Sequence, residues 1–184
     1  MRRLRYQVAM SLDGYIAGPN GEADWILMDP DLDFAALFAQ FDTLVMGRKT
    51  FESTQAMGGG PSSGMSVVVV SRTMSPAAHP KIRIIGADLA REVADLKAAG
   101  GKDLWLFGGG SLFRSLLELG LVDGVEVAVI PVLLGGGVPL LPVPAARAGL
   151  TLTGHRVYPK TGTVLLEYAV SDETPRGPRR KERR

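Results

Sequence analysis

The fold of this chain is decided by one stretch, Leu104-Trp105-Leu106-Phe107-Gly108-Gly109-Gly110-Ser111. Its four apolar residues are typical of a buried strand, and after the glycines a helical pattern runs from Ser111 to Leu119. Because glycine has no Cβ atom, an anion can approach the backbone, and the free amides at a helix start favour a phosphate. The stretch therefore predicts a phosphate-binding turn, although a plain tight turn fits the same residues equally well.

This turn is not one of the common nucleotide-binding fingerprints. Phe113 stands where G-x-G-x-x-G would have its third glycine, and the Lys-Ser/Thr pair of a P-loop is missing. Ser111 also lacks the G-x-S-x-G context of a hydrolase nucleophile. The function must therefore be inferred from this turn together with others like it.

Two other predicted strands end in similar chemistry. One runs into Gly47-Arg48-Lys49-Thr50, where a glycine precedes two cations and Thr50 can cap the next short helix. The other runs into Ser71-Arg72-Thr73, which offers hydroxyls and a guanidinium. Three such strand ends fit a dinucleotide lying across the carboxyl edge of the sheet. If Ser71 and Arg72 face a ribose 2′-phosphate, the cofactor is NADP rather than NAD.

Apolar runs rich in β-branched residues alternate with helical patterns along the chain. The predicted strands cover residues 6–10, 43–46, 67–71, 82–85, 104–107, 125–132, 150–153 and 164–170. The predicted helices cover residues 31–41, a short segment from 50, 88–99 and 111–119. This alternation favours an α/β fold with a largely parallel sheet. The last three strands have little helix between them, which indicates an antiparallel edge.

Composition narrows the class of protein further. The 184 residues are 46% hydrophobic, with 21 Lys plus Arg against 19 Asp plus Glu and no cysteine. Much of the positive charge lies in 171–184, which we expect to be a disordered basic tail after one domain over 1–170. The remaining near-neutral body indicates no specific nucleic-acid groove.

Two separated histidines make no metal site, and prolines and glycines interrupt the uncharged stretch 127–146 too often for a membrane helix. We expect a cytoplasmic protein.

The order of several motifs resembles the dihydrofolate reductase superfamily, and within it the family of the C-terminal reductase domain of RibD. The motifs are the opening Val8-Ala9-Met10-Ser11-Leu12-Asp13-Gly14-Tyr15-Ile16-Ala17, the turns at 47–50 and 108–111, Leu119-Gly120-Leu121-Val122-Asp123, and Ile130-Pro131-Val132-Leu133-Leu134-Gly135-Gly136-Gly137. The resemblance implies the three-layer dihydrofolate reductase-like fold, with a mostly parallel central sheet of about eight strands and helices on both faces.

The resemblance also implies an NADPH site. Backbone contacts to the nicotinamide would come from Ala9 and Ile16. The pyrophosphate would meet the two glycine-containing turns, and the 2′-phosphate or adenosine would meet Ser71 and Arg72. The turn residues are Gly47, Arg48, Lys49, Thr50, Gly108, Gly109, Gly110, Ser111 and Leu112. Residues 18–25 would correspond to the mobile loop that closes over the nicotinamide.

A C=N substrate requires a proton donor as hydride arrives at carbon. The predicted first helix has one apolar stripe, made of Phe34, Leu37, Phe38 and Phe41. At about 100° per residue, Asp31 lies nearer this stripe than Asp29 or Asp33 and is predicted to point into a cleft as the catalytic acid. An acid in the first turn also stabilises the helix dipole, which is the alternative explanation.

By resemblance we expect an NADPH-dependent reductase that passes hydride to a C=N or C=O of a heterocyclic or ribosylamino-type small molecule, like 5-amino-6-(5-phosphoribosylamino)uracil reductase of riboflavin synthesis. The alternatives are a dihydrofolate or pterin reductase and, in another class, a non-catalytic NADP(H)-binding sensor or scaffold. Reductases of the RibD branch usually carry an arginine where this chain has Tyr15, a partner for a substrate phosphate. The apolar residues 125–134 also predict a homodimer.

Overall fold

A computed structural model gives the fold and describes residues 1–58 and 64–171. The strands are β1 Leu4–Ser11, β2 Tyr15–Ala17, β3 Phe41–Gly47, β4 Ser66–Val70, β5 Arg83–Ile85, β6 Asp103–Gly108, β7 Gly124–Ile130, β8 Val138–Pro139, β9 Gly149–Tyr158 and β10 Thr163–Ser171. The helices are α1 Phe34–Phe38, α2 Arg48–Ala56, α3 Leu89–Ala98 and α4 Gly110–Glu118. A short 3-10 turn covers Pro76–Ala78. All eight strands predicted from the sequence are present, whereas β2 and β8 were not predicted.

Eight strands form one sheet in the order β5-β4-β3-β6-β1-β7-β10-β9. The strands from β5 to β7 are parallel, and β10 lies antiparallel to both β7 and β9. The mostly parallel sheet with an antiparallel C-terminal part is therefore confirmed. Because the first six strands of this order share one direction, all their carboxyl ends lie at the same edge of the sheet.

Helices cover both faces of the sheet, which confirms the three-layer fold. On one face, Leu104 and Leu106 of β6 and Leu116 of α4 are fully buried in a cluster that also includes residues of α3. On the other face, Trp105 lies 5.7 Å from Phe38, between ring centroids, and joins residues near α1 and α2. Successive strand residues point to opposite faces, so one strand supplies both clusters.

The first helix is shorter than predicted and leaves Asp31 outside. It begins at Phe34, because Asp33 is the N-cap and its carboxylate accepts a hydrogen bond from the amide of Ala36 at 2.9 Å. The prediction of a helix over 31–41, with Asp31 on its apolar side, is wrong.

Helix α2 also begins earlier than predicted. Its N-cap is Gly47, which is extended like the strand before it (φ −80°, ψ 162°), so Arg48 is the first helical residue. Thr50 therefore lies inside the first turn and is not the cap. The strand and helix follow each other with no intervening loop, which brings the Thr50 side chain to the sheet edge.

The position of β7 corrects the argument for a dimer. Strand β7 lies between β1 and β10, and its side chains are buried or half-buried, so residues 125–130 offer no edge. The edge strands are β5 and β9, and β9 exposes Leu150, Leu152 and Val157. Of the predicted stretch 125–134, Leu133 is exposed, but it lies beyond the end of β7. The homodimer stays a prediction that must rest on a different surface.

Strand β10 ends at Ser171, so the first residue of the basic tail expected over 171–184 lies in a strand, and residues 172–184 lie outside the described residues. Within the described ranges, no helix has the length and apolar character needed to cross a membrane.

Candidate cofactor site

The fold brings the three predicted turns together. Strands β4, β3 and β6 are direct neighbours, with Gly47 opposite Val70 on one side and Met46 opposite Gly108 on the other. Because these strands are parallel, the segments that follow them start side by side at one edge. These segments are 71–73, 48–50 and 109–111.

Thr50 contacts the glycine turn directly. A Cβ atom built on Gly108 would lie 3.3 Å from Thr50 Cγ2, and one on Gly109 would lie 3.4 Å from Thr50 Oγ1. Gly109 also has a φ of +97°, in the region that favours glycine. Both glycines are therefore needed where β6 meets α4, and Thr50 reaches their backbone from the neighbouring strand.

The two helices that directly follow β3 and β6 lack side-chain caps. Among the described residues, no side chain makes a capping hydrogen bond at Gly47 before α2 or at Gly109 before α4. In contrast, Asp33 caps α1 and Asp88 caps α3. In α4 the first intrahelical bond runs from the amide of Phe113 to the Gly109 carbonyl, so the amides at 110–112 precede it. Both helix starts keep their backbone donors and positive dipole ends available to an anion.

The connections that follow the adjacent strands β3 and β6 run to opposite sides of the sheet. The chain leaves β3 through α2 toward β4 on one face, and leaves β6 through α4 toward β7 on the other face. Adjacent strands whose connections diverge in this way leave a crevice at their carboxyl ends, which is the usual ligand site of open α/β sheets. The Thr50 contact with the glycine turn lies at this crevice.

Cations near the crevice are available for an anion. Lys49 and Arg72 are exposed, and neither has an ion pair or hydrogen bond to another described residue. Arg48 pairs with Glu52 at 2.9 Å, but both side chains are about half exposed, and such surface pairs contribute only about 0.3–0.5 kcal/mol. A phosphate could replace that carboxylate at small cost.

Ser71 has a structural task in its own turn. Its side chain is buried, and its hydroxyl oxygen accepts hydrogen bonds from the amides of Thr73 at 3.2 Å and Met74 at 3.1 Å. These bonds hold the segment after β4 and so position Arg72. A direct contact between Ser71 and a phosphate stays a prediction.

The nicotinamide residues expected from the sequence are Ala9 and Ile16, and they lie on two strands, β1 and β2, that contact each other. Strand β2 contacts β1 and pairs with β8, with Ala17 opposite Val138. A Cβ atom on Gly137 would clash with the Ala17 carbonyl, and one on Gly110 would lie 2.5 Å from the Pro139 carbonyl oxygen. The short β2–β8 sheet therefore connects the end of β1 to the start of α4.

Asp13 anchors the turn after β1. Its carboxylate accepts hydrogen bonds from the Ser11 hydroxyl at 2.6 Å and from the amides of Leu134 at 3.1 Å and Gly135 at 2.7 Å. The Ser11 bond, followed by these amides, outweighs desolvation and holds the pKa of Asp13 below its usual value. This carboxylate is a structural acceptor, and the Asp13-Gly14 turn expected from the sequence is present.

A polar network covers the α1 face of β1 and β7, beside Ala9. Arg5 donates to both carboxylate oxygens of Glu126, at 2.5 and 2.9 Å, and to Gln40 at 2.8 Å. Gln7 donates to Glu126 at 3.1 Å, while its amide oxygen is buried with no hydrogen-bond partner among the described residues. The sequence interpretation missed this network, because nothing local to Arg5 or Glu126 indicates that the sheet pairs them.

The structure distinguishes the acids before α1. Asp31 is exposed and pairs with Lys160 at 2.7 Å. Asp29 is buried and accepts from the amide of Asp31 at 2.9 Å and from the amide and hydroxyl of Thr161, at 3.1 and 2.8 Å. Desolvation opposes the ionisation of Asp29, but these bonds and Lys160 outweigh it and lower the pKa. A catalytic role for Asp31 stays a prediction.

The predicted mobile loop forms one wall of a cleft. A cleft of about 440 Å³ separates the loop from the second half of α2, and it is lined by Asn20, Gly21, Glu22, Ser53, Ala56 and Met57. Within the loop, the Trp25 indole donates to the Glu22 carbonyl at 3.2 Å. The cleft therefore lies between residues that follow β2 and residues late in α2.

Comparisons with known proteins agree with this geometry. The uncharacterized protein YyaP of Bacillus subtilis (strain 168) is 35% identical over 91% of this chain and 94% of its own. The crystal structure of a putative riboflavin biosynthesis protein from Shewanella sp. PV-4 matches at 30% identity, with a TM-score of 0.79 over 93% of this chain and 99% of that one. Dihydrofolate reductase from Enterococcus faecalis, complexed with NADP(H), shares the fold, with a TM-score of 0.68 and 21% identity over 92% of this chain and 97% of that one.

The family model of the RibD C-terminal domain matches residues 2–164. This range contains the crevice, the cleft and every predicted site residue. Because the match covers most of the sequence, the chain belongs to the RibD C-terminal domain family.

Proposed function

We propose that this protein is an NADPH-dependent reductase that transfers hydride to a C=N or C=O bond of a heterocyclic or ribosylamino-type small molecule. Family membership supports an oxidoreductase of this kind. The observation that carries the proposal is the crevice between β3 and β6, where Thr50 contacts the glycine turn and two helices start without side-chain caps.

The residues present fit a dinucleotide that carries a pyrophosphate and a 2′-phosphate. Glycines at 108–110 let this turn pack closely against its neighbours, because any Cβ atom there would approach Thr50, Pro139 or Leu140. The amides at 110–112 and the Lys49 ammonium would hold the pyrophosphate, and Arg72 would hold the 2′-phosphate. Ala9 and Ile16 would contact the nicotinamide. When bound, NADPH supplies the hydride.

The chain's own contribution to the reaction would be positioning and one proton. Residues 18–25 and α2 enclose the cleft in which a substrate would be oriented and partly shielded from water. Asp31 is the predicted proton donor, and reaching a substrate nitrogen would require its exposed ion pair with Lys160 to open.

The relatives connected with riboflavin biosynthesis favour an aminouracil substrate over a folate or pterin. A cytoplasmic homodimer that acts on this small molecule completes the proposal.

Calorimetry and turnover assays test the proposal together. We expect NADPH to bind, with NADH at least tenfold weaker, because NADH lacks the phosphate for Arg72. We then expect NADPH consumption with at least one member of a panel of aminouracils, pterins, imines and ketones. Binding without turnover across the panel would favour the sensor alternative, and absence of NADPH binding would overturn the proposal.

A further inference from the structure

The loop between β7 and β8, residues 131–137, leads the chain into the narrow space between β2 and the start of α4. On the β2 side, a Cβ atom on Gly137 would clash with the Ala17 carbonyl. On the α4 side, a Cβ atom on Gly110 would lie 2.5 Å from the Pro139 carbonyl oxygen. The β7–β8 loop and β8 therefore set the spacing between β2 and the start of α4.

This spacing matters for the proposed cofactor. Strand β2 carries Ile16, the expected nicotinamide contact, and the amides at 110–112 are the expected pyrophosphate contacts. In NADPH a single ribose joins these two groups, so a shift of β2 relative to α4 would move the nicotinamide within its site. Hydride transfer requires the reacting atoms to lie about 3–3.5 Å apart, so a small shift is enough to slow it.

The middle of the β7–β8 loop is held by one side chain. The amides of Leu134 and Gly135 donate to the two carboxylate oxygens of Asp13, at 3.1 and 2.7 Å. Among the described residues, no other hydrogen bond reaches residues 133–136. No atom lies within 4 Å of the Cβ position of Gly135 or Gly136, and glycine backbone has wide conformational freedom. Asp13 therefore restrains a segment that its own packing does not fix.

The Asp13 carboxylate is itself oriented by the end of β1. The hydroxyl of Ser11, which is fully buried, donates to Asp13 at 2.6 Å, and its oxygen accepts from the Tyr15 amide at the start of β2, at 3.0 Å. Near the start of the loop, the Leu12 amide donates to the Val132 carbonyl at 2.9 Å. One short chain of hydrogen bonds thus joins β1, β2 and the β7–β8 loop.

We infer that Asp13 is a positioning residue of the cofactor site: its carboxylate fixes the β7–β8 loop and thereby the nicotinamide side of the site relative to the pyrophosphate side. The inference rests on the proposed function, because it concerns the same dinucleotide. Asp13 acts through the loop and needs no contact with cofactor or substrate. Its side chain is exposed, so we expect its substitution to leave the fold intact.

Two nucleotides test this role without turnover. In Asp13→Asn one carboxylate oxygen becomes an N–H donor, which cannot accept from an amide. We expect calorimetry to show NADPH affinity about tenfold lower, and affinity for 2′-phosphoadenosine 5′-diphosphate within about twofold of wild type. The second compound carries the phosphates but lacks the nicotinamide, so only NADPH reports the position of β2.

The outcomes separate this inference from the proposed function. Equal losses for the two nucleotides, or no loss for either, would overturn the positioning role while wild-type binding of NADPH leaves the proposed function intact. If wild type does not bind NADPH, the proposed function fails and this inference fails with it.

Fluorescence of the reduced nicotinamide gives a second readout. Saturating NADPH restores occupancy of the site but not its geometry. We therefore expect the anisotropy of bound NADPH at saturation to fall from wild type to Asp13→Asn, and further in Asp13→Ala, which has no acceptor. Thermal unfolding verifies that each variant is folded. Equal anisotropy in the three proteins would overturn the inference.

Asp42→Asn is the matched control. Asp42 also accepts from a neighbouring hydroxyl, that of Thr43 at 2.7 Å, and from a distant amide, that of Lys102 at 2.8 Å. It lies at the amino end of β3, on the opposite edge of the sheet. We expect this variant to lower the midpoint of thermal unfolding and to leave the ratio of the two nucleotide affinities unchanged. A change in this ratio as large as that in Asp13→Asn would contradict a local positioning role.

Discussion

Individual residues at the crevice differ in what holds them in place. Arg72 and Lys49 are exposed and have no partner among the described residues, so they are free to meet a ligand. Thr50 and the glycines at 108–110 are held by close contacts. Substitutions of Arg72 or Lys49 should therefore affect binding alone. Substitutions of Thr50 or of the glycines should affect both binding and folding.

The first prediction concerns Arg72→Ala. We expect NADPH affinity to fall about tenfold, because one charge-assisted hydrogen-bonding group is lost, while NADH affinity hardly changes. Calorimetry with both nucleotides measures the difference. Arg91→Ala, on the exposed side of α3, removes the same charge far from the crevice and serves as the control. Equal loss for both nucleotides would argue against a 2′-phosphate contact.

The second prediction concerns Gly109→Ala. The φ of +97° disfavours any side chain, and we expect a loss of about 1–3 kcal/mol in the free energy of unfolding. The added methyl group also lies 3.4 Å from Thr50 Oγ1, so NADPH affinity should fall as well. Denaturant titration and calorimetry measure the two effects. Gly100→Ala is the control, since no atom lies within 4 Å of its Cβ position and its φ is not positive; comparable losses there would contradict the argument.

At the scale of elements, β1 and β7 are joined by buried charge as well as by their backbone ladder. Arg5 and Glu126 are both more than nine-tenths buried and face each other across neighbouring strands. Such a pair contributes little net stability, yet removing one partner leaves the other charge buried and poorly compensated. We therefore expect the pair to be intolerant of single changes.

The third prediction is that Glu126→Gln lowers the free energy of unfolding by about 3 kcal/mol. The side chain keeps its shape, so packing is unchanged and the loss reports the uncompensated Arg5 charge. Denaturant titration gives the magnitude, and Glu118→Gln, which removes an exposed carboxylate at the end of α4, is the control. A loss under 1 kcal/mol would show that Asp103 and Gln40 suffice for Arg5.

At the scale of the whole molecule, the β9–β10 turn contacts Asp29 and Asp31, which precede α1. Asp29 receives three hydrogen bonds, of which two come from Thr161 in that turn, so residues far apart in sequence hold the cleft side together. The pKa of Asp29 lies below its usual value of 3.8. The ionised form therefore stabilises the folded state at pH values above 3.8, and this contribution is lost as the pH falls through the lower folded-state pKa.

The fourth prediction follows from this linkage. Thermal unfolding of the protein should show a midpoint that decreases as the pH falls below about 4. Asp29→Asn should lower the midpoint at neutral pH and reduce its dependence on acid, because the variant has no proton to gain. Asp24→Asn removes an exposed carboxylate with no hydrogen bond to a described residue and should change neither. A wild-type acid dependence retained in Asp29→Asn would contradict the assignment.

Local sequence determined the strands, most helices and the three phosphate-type turns of this protein, because side-chain periodicity and glycine act within a few residues. Only the tertiary structure decided that β3 and β6 are neighbours, that Asp29 is buried while Asp31 is exposed, and that β7 lies inside the sheet. Strand order and burial depend on pairings between residues more than a hundred positions apart, such as Arg5 with Glu126 and Asp29 with Thr161. No local pattern contains that information, so the site residues could be named from the sequence while their arrangement could not.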